Sequence, residues 1–130
     1  MITIPPDLEH ARYVSLATFR RSGASVATPV WAAPTDGSFY VFSAGEAGKI
    51  KRLRNGDLAR IARCDSRGRL QGDWHDARAV IIDEVNEARA ALAALREKYG
   101  WQMRLTDFAS RLTGKFEKRA YIKVTLIDTS

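Results

Sequence analysis

The chain has 130 residues, 45% hydrophobic and 28% charged, the proportions of a soluble globular protein with one core. Its net charge of +6 suits an acidic partner, whether nucleic acid or a phosphorylated cofactor, or mere solubility, and does not choose among them. A single cysteine, Cys64, excludes an intrachain disulfide framework, and no segment approaches about 18 uninterrupted apolar residues. With no basic leader before an apolar stretch, residues 1–130 are expected to form one cytoplasmic domain without a membrane partner.

Pro5-Pro6-Asp7 opens a proline-led helix of one or two turns through Arg12. Tyr13 to Arg20 reads as a strand with apolar residues on both faces, and Ser22-Gly23 as the turn after it. A second extended run covers 25–33. Pro29 sits within it and cannot donate to a ladder, so that position should be an edge, a bulge or a gap facing a ligand. Asp36-Gly37 turns the chain into the strand Phe39 to Ser43.

Ala44 to Gly48 is small and glycine-spaced, and it leads into the basic helix Lys49 to Arg54, which stops at Asn55-Gly56. Free amides at such a helix start favour an anion, and four cations in six residues add to the effect. Lys49 is the leading phosphate candidate, with Arg52 on the same face three residues on. Each charge-assisted contact is worth about 1.5–3 kcal/mol, so two or three supply much of a micromolar affinity of about 8 kcal/mol. The plainer reading is a solvated turn pinned by Ile50 and Leu53.

A further strand ends at Cys64, and after the turn Asp65 to Gly68 a long strand is expected over roughly Arg69 to Asp83. Glu84 to Tyr99 is the clearest helix, with Val85, Ala88, Leu92, Leu95 and Tyr99 at spacings of three and four and Gly100 as its stop. A second helix over 101–112 and a final alternating strand over 120–127 follow. About six short strands joined by tight turns predict a mainly β (α+β) chain. Its expected architecture is a six-stranded antiparallel barrel with short helices and a helical insertion before the last strand.

The two histidines, His10 and His75, lie far apart, and Cys64 lacks a partner at ligand spacing, so no metal site is expected. Cys64 has no activation motif around it and reads as a strand residue. No catalytic side chain is assigned, and Tyr40, Tyr121 and His75 are the only proton donors considered. Trp31, Trp74 and Trp101 read first as packing residues, with stacking on a ring system the alternative for Trp31 and Trp74.

The segments Arg12 to Arg20, Val26 to Trp31, Phe39 to Ser43, Gly48 to Arg54, Cys64 to Gly68, Lys98 to Trp101 and Arg119 to Ile122, in this order, resemble the pyridoxamine-5′-phosphate-oxidase-like split-barrel proteins. The branch they resemble is the small deazaflavin (coenzyme F420)-dependent oxidoreductases, and the likeness covers most of the chain. It implies an FMN-binding-like split barrel that forms a homodimer, with a cofactor groove at each interface. It also implies Thr28, Pro29 and Val30 along the tricyclic ring, with Phe42, Ser43, Lys49 and Arg52 toward the phosphate-bearing tail.

The cofactor so implied is F420, with FMN as the alternative, and the reaction is hydride transfer to a small organic acceptor. Two departures bear on this. Gly48-Lys49 stands where the flavin-mononucleotide oxidases carry an arginine-lysine pair. Because the sequence stops at Ser130 without the substrate-binding segment of true pyridoxamine-phosphate oxidases, that oxidation is not expected. A non-catalytic cofactor-binding protein is a further alternative. A nucleic-acid-binding barrel ranks last, because the cations cluster on one helix away from the aromatic residues.

Overall fold

The structure, a computed structural model, describes residues 4–45 and 47–127, with the side chain of Glu117 also left aside. Glu46, inside the glycine-spaced entry to the basic helix, therefore lies outside the described residues. A short helix α1 (Pro6–Glu9) precedes the strands β1 (Tyr13–Phe19), β2 (Ser25–Val30), β3 (Ala32–Thr35) and β4 (Ser38–Ala44). Helix α2 (Gly48–Leu53) follows, then β5 (Leu58–Cys64) and β6 (His75–Ile82). Helices α3 (Val85–Tyr99) and α4 (Trp101–Leu112), a 3₁₀ turn at Phe116–Lys118 and β7 (Arg119–Leu126) complete the chain.

All seven strands join one antiparallel sheet in the order β2-β1-β5-β6-β7-β4-β3. The two outermost strands are consecutive in sequence and separated only by Trp31, so the sheet curls until its edges are joined by one residue. This corrects the six-strand expectation. The run over 25–33 is two strands, because its first part pairs with β1 through Val30 and its second pairs with β4 from Ala32. Pro29 lies on β2, an edge strand, where a missing N–H is tolerated.

Residues 69–74 do not extend β6. There Leu70 makes an isolated bridge to Cys64, and the ladder with β5 begins only at His75.

Leu16, Phe39, Val41, Ile61, Ile122 and Val124 fill the barrel, each no more than 1% exposed. Ile50 and Leu53 of α2 belong to the same cluster. A six-residue helix is marginal in water. Burying these two side chains, worth about 1.5–3 kcal/mol each, is what holds α2 in place.

A smaller cluster forms outside the barrel, where Leu95, Tyr99 and Met103 pack on Ala33, with Trp31, Phe42 and Tyr121 at its margin. Helix α3 starts with Glu84, whose carboxylate accepts from the N–H groups of Asn86 (2.9 Å) and Glu87 (2.8 Å), and ends at Gly100 with φ +54°. Val85, expected on the buried stripe, is exposed, and Ala91 is buried on that face instead.

Candidate functional site

The junction between the sheet edges is built from the chain's aromatic residues. The Trp31 ring stacks on Tyr99 at 4.6 Å and 9°, and meets Phe42 edge-on at 6.1 Å. The guanidinium of Arg119 lies 4.7 Å over Phe42 and 4.9 Å over Phe116. A row of Tyr99, Trp31, Phe42, Arg119 and Phe116 thus runs from α3 across the junction to the 3₁₀ turn.

Both ends of the row are fixed. The Tyr99 hydroxyl accepts from the Ala32 N–H at 2.9 Å and donates to the Arg12 carbonyl at 2.9 Å. Burial pushes its pKa up to about 12, so the proton those bonds require stays in place. Lys98 Nζ donates to the carbonyls of Ala11 (2.7 Å) and Ala32 (2.6 Å). At the other end Arg119 donates to Asp107 Oδ1 (2.7 Å) and to Ser110 Oγ (2.9 Å), and Arg96 donates to Asp107 Oδ2 (2.9 Å).

Along this row lies a groove open on one side. One cavity of about 340 Å³ is lined by Tyr13, Pro29, Val30, Trp31, Phe42, Ser43, Ala44, Ala47 and Lys49. A second, of about 270 Å³, shares Phe42, Ser43 and Ala44 with it and continues to Gly45, Ser110, Lys115, Lys118 and Arg119. Each alone lies near or below the lower end of ligand-site volumes, while their shared wall makes one elongated site. Its middle is apolar and both ends carry cations.

Five of the seven residues singled out from sequence, Pro29, Val30, Phe42, Ser43 and Lys49, therefore line one cavity. Lys49 is half-buried, and desolvation, with Arg52 second, lowers its pKa. No carboxylate pairs with it among the described residues. An anion at this point would relieve both effects. Because α2 has only six residues, its dipole adds little and Lys49 carries the attraction.

The other two residues lie off the groove lining. Arg52 Nε donates to Thr18 Oγ1 at 2.6 Å, and a Cβ built on Gly48 would stand 2.8 Å from its guanidinium. Arg52 thus braces α2 against the barrel wall. Thr28 is half-buried beside Leu16, and its Oγ1 is the one buried side-chain oxygen or nitrogen without a hydrogen-bond partner among the described residues.

Tyr40, Tyr121 and His75 line neither cavity. The Tyr40 hydroxyl donates instead to Glu87 at 3.4 Å. Cys64 is buried, and its thiol pKa is raised by that burial and by Asp65. No metal-ligating cluster occurs among the described residues.

Sequence reasoning missed Tyr13, Ser110, Lys115, Lys118 and Arg119. Four of these come from the end of α4, the turn beyond it and the first residue of β7, brought to the groove by the β4–β7 ladder, where Ala44 faces Arg119. No local pattern announces that pairing.

No family model matches the sequence, and no curated protein matches it. Solved structures do match in shape. The conserved hypothetical protein Rv2991 of Mycobacterium tuberculosis has a TM-score of 0.71 at 18% identity, over 98% of this chain and 83% of its own. HutZ, the heme storage protein of Vibrio cholerae, has a TM-score of 0.70 at 13% identity, over 98% and 92%. An FAD-binding protein of Mesorhizobium loti has a TM-score of 0.58 at 16% identity, over 93% and 83%. The fold is that of the pyridoxamine-phosphate-oxidase-like split barrels, a curled antiparallel sheet with helices packed outside. At these identities the likeness defines the fold and leaves the ligand to the site.

Proposed function

We propose that the groove binds a flavin-type cofactor and that the protein is an F420-dependent reductase, with FMN as the alternative cofactor. The observation that carries this reading is Lys49. It is a partly desolvated cation, without a carboxylate partner among the described residues, at one end of a groove whose middle is apolar and aromatic. That is the polarity of a ring system bearing a phosphate tail.

Pro29, Val30 and Trp31 would lie along the ring, and Lys49 would hold the phosphate. Phe42, held beneath Arg119, would form the wall between the ring and the space next to it. The cofactor, when bound, supplies hydride transfer to an organic acceptor. The chain itself binds it, orients it by the fixed aromatic row and keeps water from one face. A groove open on one side suits a homodimer in which a second copy closes it.

A non-catalytic carrier is favoured by one observation. Apart from lysine and arginine, Tyr13 is the one side chain of general acid–base type among the described residues lining the groove, and neither His10 nor His75 lines it. The absence of histidine also leaves the groove without the usual ligand for heme iron.

Titration of F420 and FMN separately, followed by tryptophan quenching, tests the reading. Micromolar F420 binding is expected, weakened by Lys49→Ala roughly 10- to 150-fold, the loss of one charge-assisted contact of about 1.5–3 kcal/mol. Binding of neither cofactor below about 1 mM, or affinity untouched by Lys49→Ala, would overturn it. Turnover of an acceptor by the loaded protein then separates reductase from carrier.

A further inference from the structure

Helix α4 presents two faces of different character. Met103 and Asp107 are buried against the body of the protein, whereas Trp101, Leu105, Phe108 and Leu112 are 69, 58, 62 and 72% exposed. Spacings of four, three and four residues set these four in one line, on the side of the helix opposite Met103 and Asp107. None of the four lines either cavity of the groove. The line is a convex apolar ridge, half of the large exposed hydrophobic residues of the described chain gathered on one helix.

The exposed charges of α4 beside the ridge have one sign among the described residues. Arg104 and Arg111, seven residues apart, flank it on the same side, and exposed Lys115 follows the helix end. The single acid of α4, Asp107, is turned inward and held by Arg96 and Arg119. Two copies meeting through this ridge as antiparallel helices would bring Arg104 of one against Arg111 of the other, an unfavourable like-charge contact. The complement of an apolar ridge edged by cations is an apolar phase edged by anions.

We propose that α4 lays the protein on an anionic lipid surface. The helix lies parallel to the membrane plane. Trp101, Leu105, Phe108 and Leu112 enter the headgroup–acyl boundary, and Arg104 and Arg111 meet the phosphates. No described helix is long and apolar enough to cross a membrane, and a helix lying on the surface has no such requirement. The proposal revises the expectation, drawn from sequence, that the chain has no membrane partner.

The test is cosedimentation of the whole chain with vesicles of phosphatidylcholine alone and of phosphatidylcholine with one-third phosphatidylglycerol. Partition onto the anionic vesicles is expected to exceed that onto neutral ones by roughly tenfold or more, and to fall at high salt. Leu105→Gln with Phe108→Gln should abolish binding to both kinds of vesicle. Arg104→Gln with Arg111→Gln should remove only the preference for the anionic ones. All four positions are exposed, and although Arg111 also lies 4.3 Å over the Phe116 ring, both variants should stay folded at the assay temperature, which circular dichroism checks. Absence of sedimentation, or binding that survives Leu105→Gln with Phe108→Gln, would overturn the proposal. So would a parent dimer that becomes a monomer in that variant, which would give the ridge to a second copy of the chain.

Discussion

Replacing Asp107 by asparagine should be among the most damaging conservative changes in the molecule. The carboxylate is 4% exposed and accepts from Arg119 at 2.7 Å and Arg96 at 2.9 Å. Arg96 is 39% exposed and can return to water, but Arg119 is also only 4% exposed and is enclosed by Phe42 and Phe116. Removing the charge while keeping the shape leaves that guanidinium buried and uncompensated, at a cost of about 3–5 kcal/mol. A domain of this size has about 5–15 kcal/mol in total, so the midpoint of thermal unfolding should fall by about 10–20 °C. Urea unfolding followed by far-ultraviolet circular dichroism gives the free energy directly. The control is Asp107→Leu combined with Arg119→Met, which removes both charges and should recover most of the loss. A loss below about 1 kcal/mol for Asp107→Asn would refute the reasoning, because it would mean that water reaches the pair. A double variant no better than the single would refute it differently, by assigning the cost to packing.

Two further outcomes follow from local geometry. A Cβ built on Gly45 would stand 2.4 Å from the Lys118 carbonyl oxygen, which already accepts from the Gly45 N–H at 2.9 Å. Gly45→Ala should therefore push the 3₁₀ turn away from β4 and cost about 1–3 kcal/mol, read as a lower urea midpoint. Lys98 concerns pH. Burial, and then Arg12, lower its pKa from 10.5 to about 8, so between those values the unfolded chain holds more protons than the folded one. Stability contributed by this group must then rise with pH across that window. Because Lys98 is only partly buried, the rise should be about 1 kcal/mol, and it should be missing from the difference between pH 8 and pH 10 in Lys98→Met.

Much of the fold is legible in the sequence because strands and turns have local causes. Val41 and Phe42 lie in a strand, Gly37 takes φ +75° at its turn, and Gly100 ends α3. What is not legible depends on residues distant in sequence. Nothing local divides 25–33 at Trp31, since the break exists only because its two halves pair with β1 and β4, which lie next to opposite ends of the sheet order. Cation clustering marked Lys49 and Arg52 alike, yet only Lys49 reaches the groove, because Thr18 stands within hydrogen-bond reach of Arg52. The spacing of α4 shows an apolar stripe, but spacing cannot say whether a stripe is covered. Met103 and Asp107 face inward because Asp107 answers Arg119, an ion pair between two elements that no periodicity encodes.

The joining of the sheet at Trp31 also bears on self-association. A curled sheet with two edges has two rows of backbone groups that could template another chain and start a fibre. Here each edge strand carries a proline, Pro29 on β2 and Pro34 on β3, so neither offers a full set of donors. Each is also short, at six and four residues, and tethered to the other through one residue. An incoming strand would find two interrupted ladders meeting at a corner. The same stretch that shapes the groove thereby keeps the barrel from polymerising through its open side.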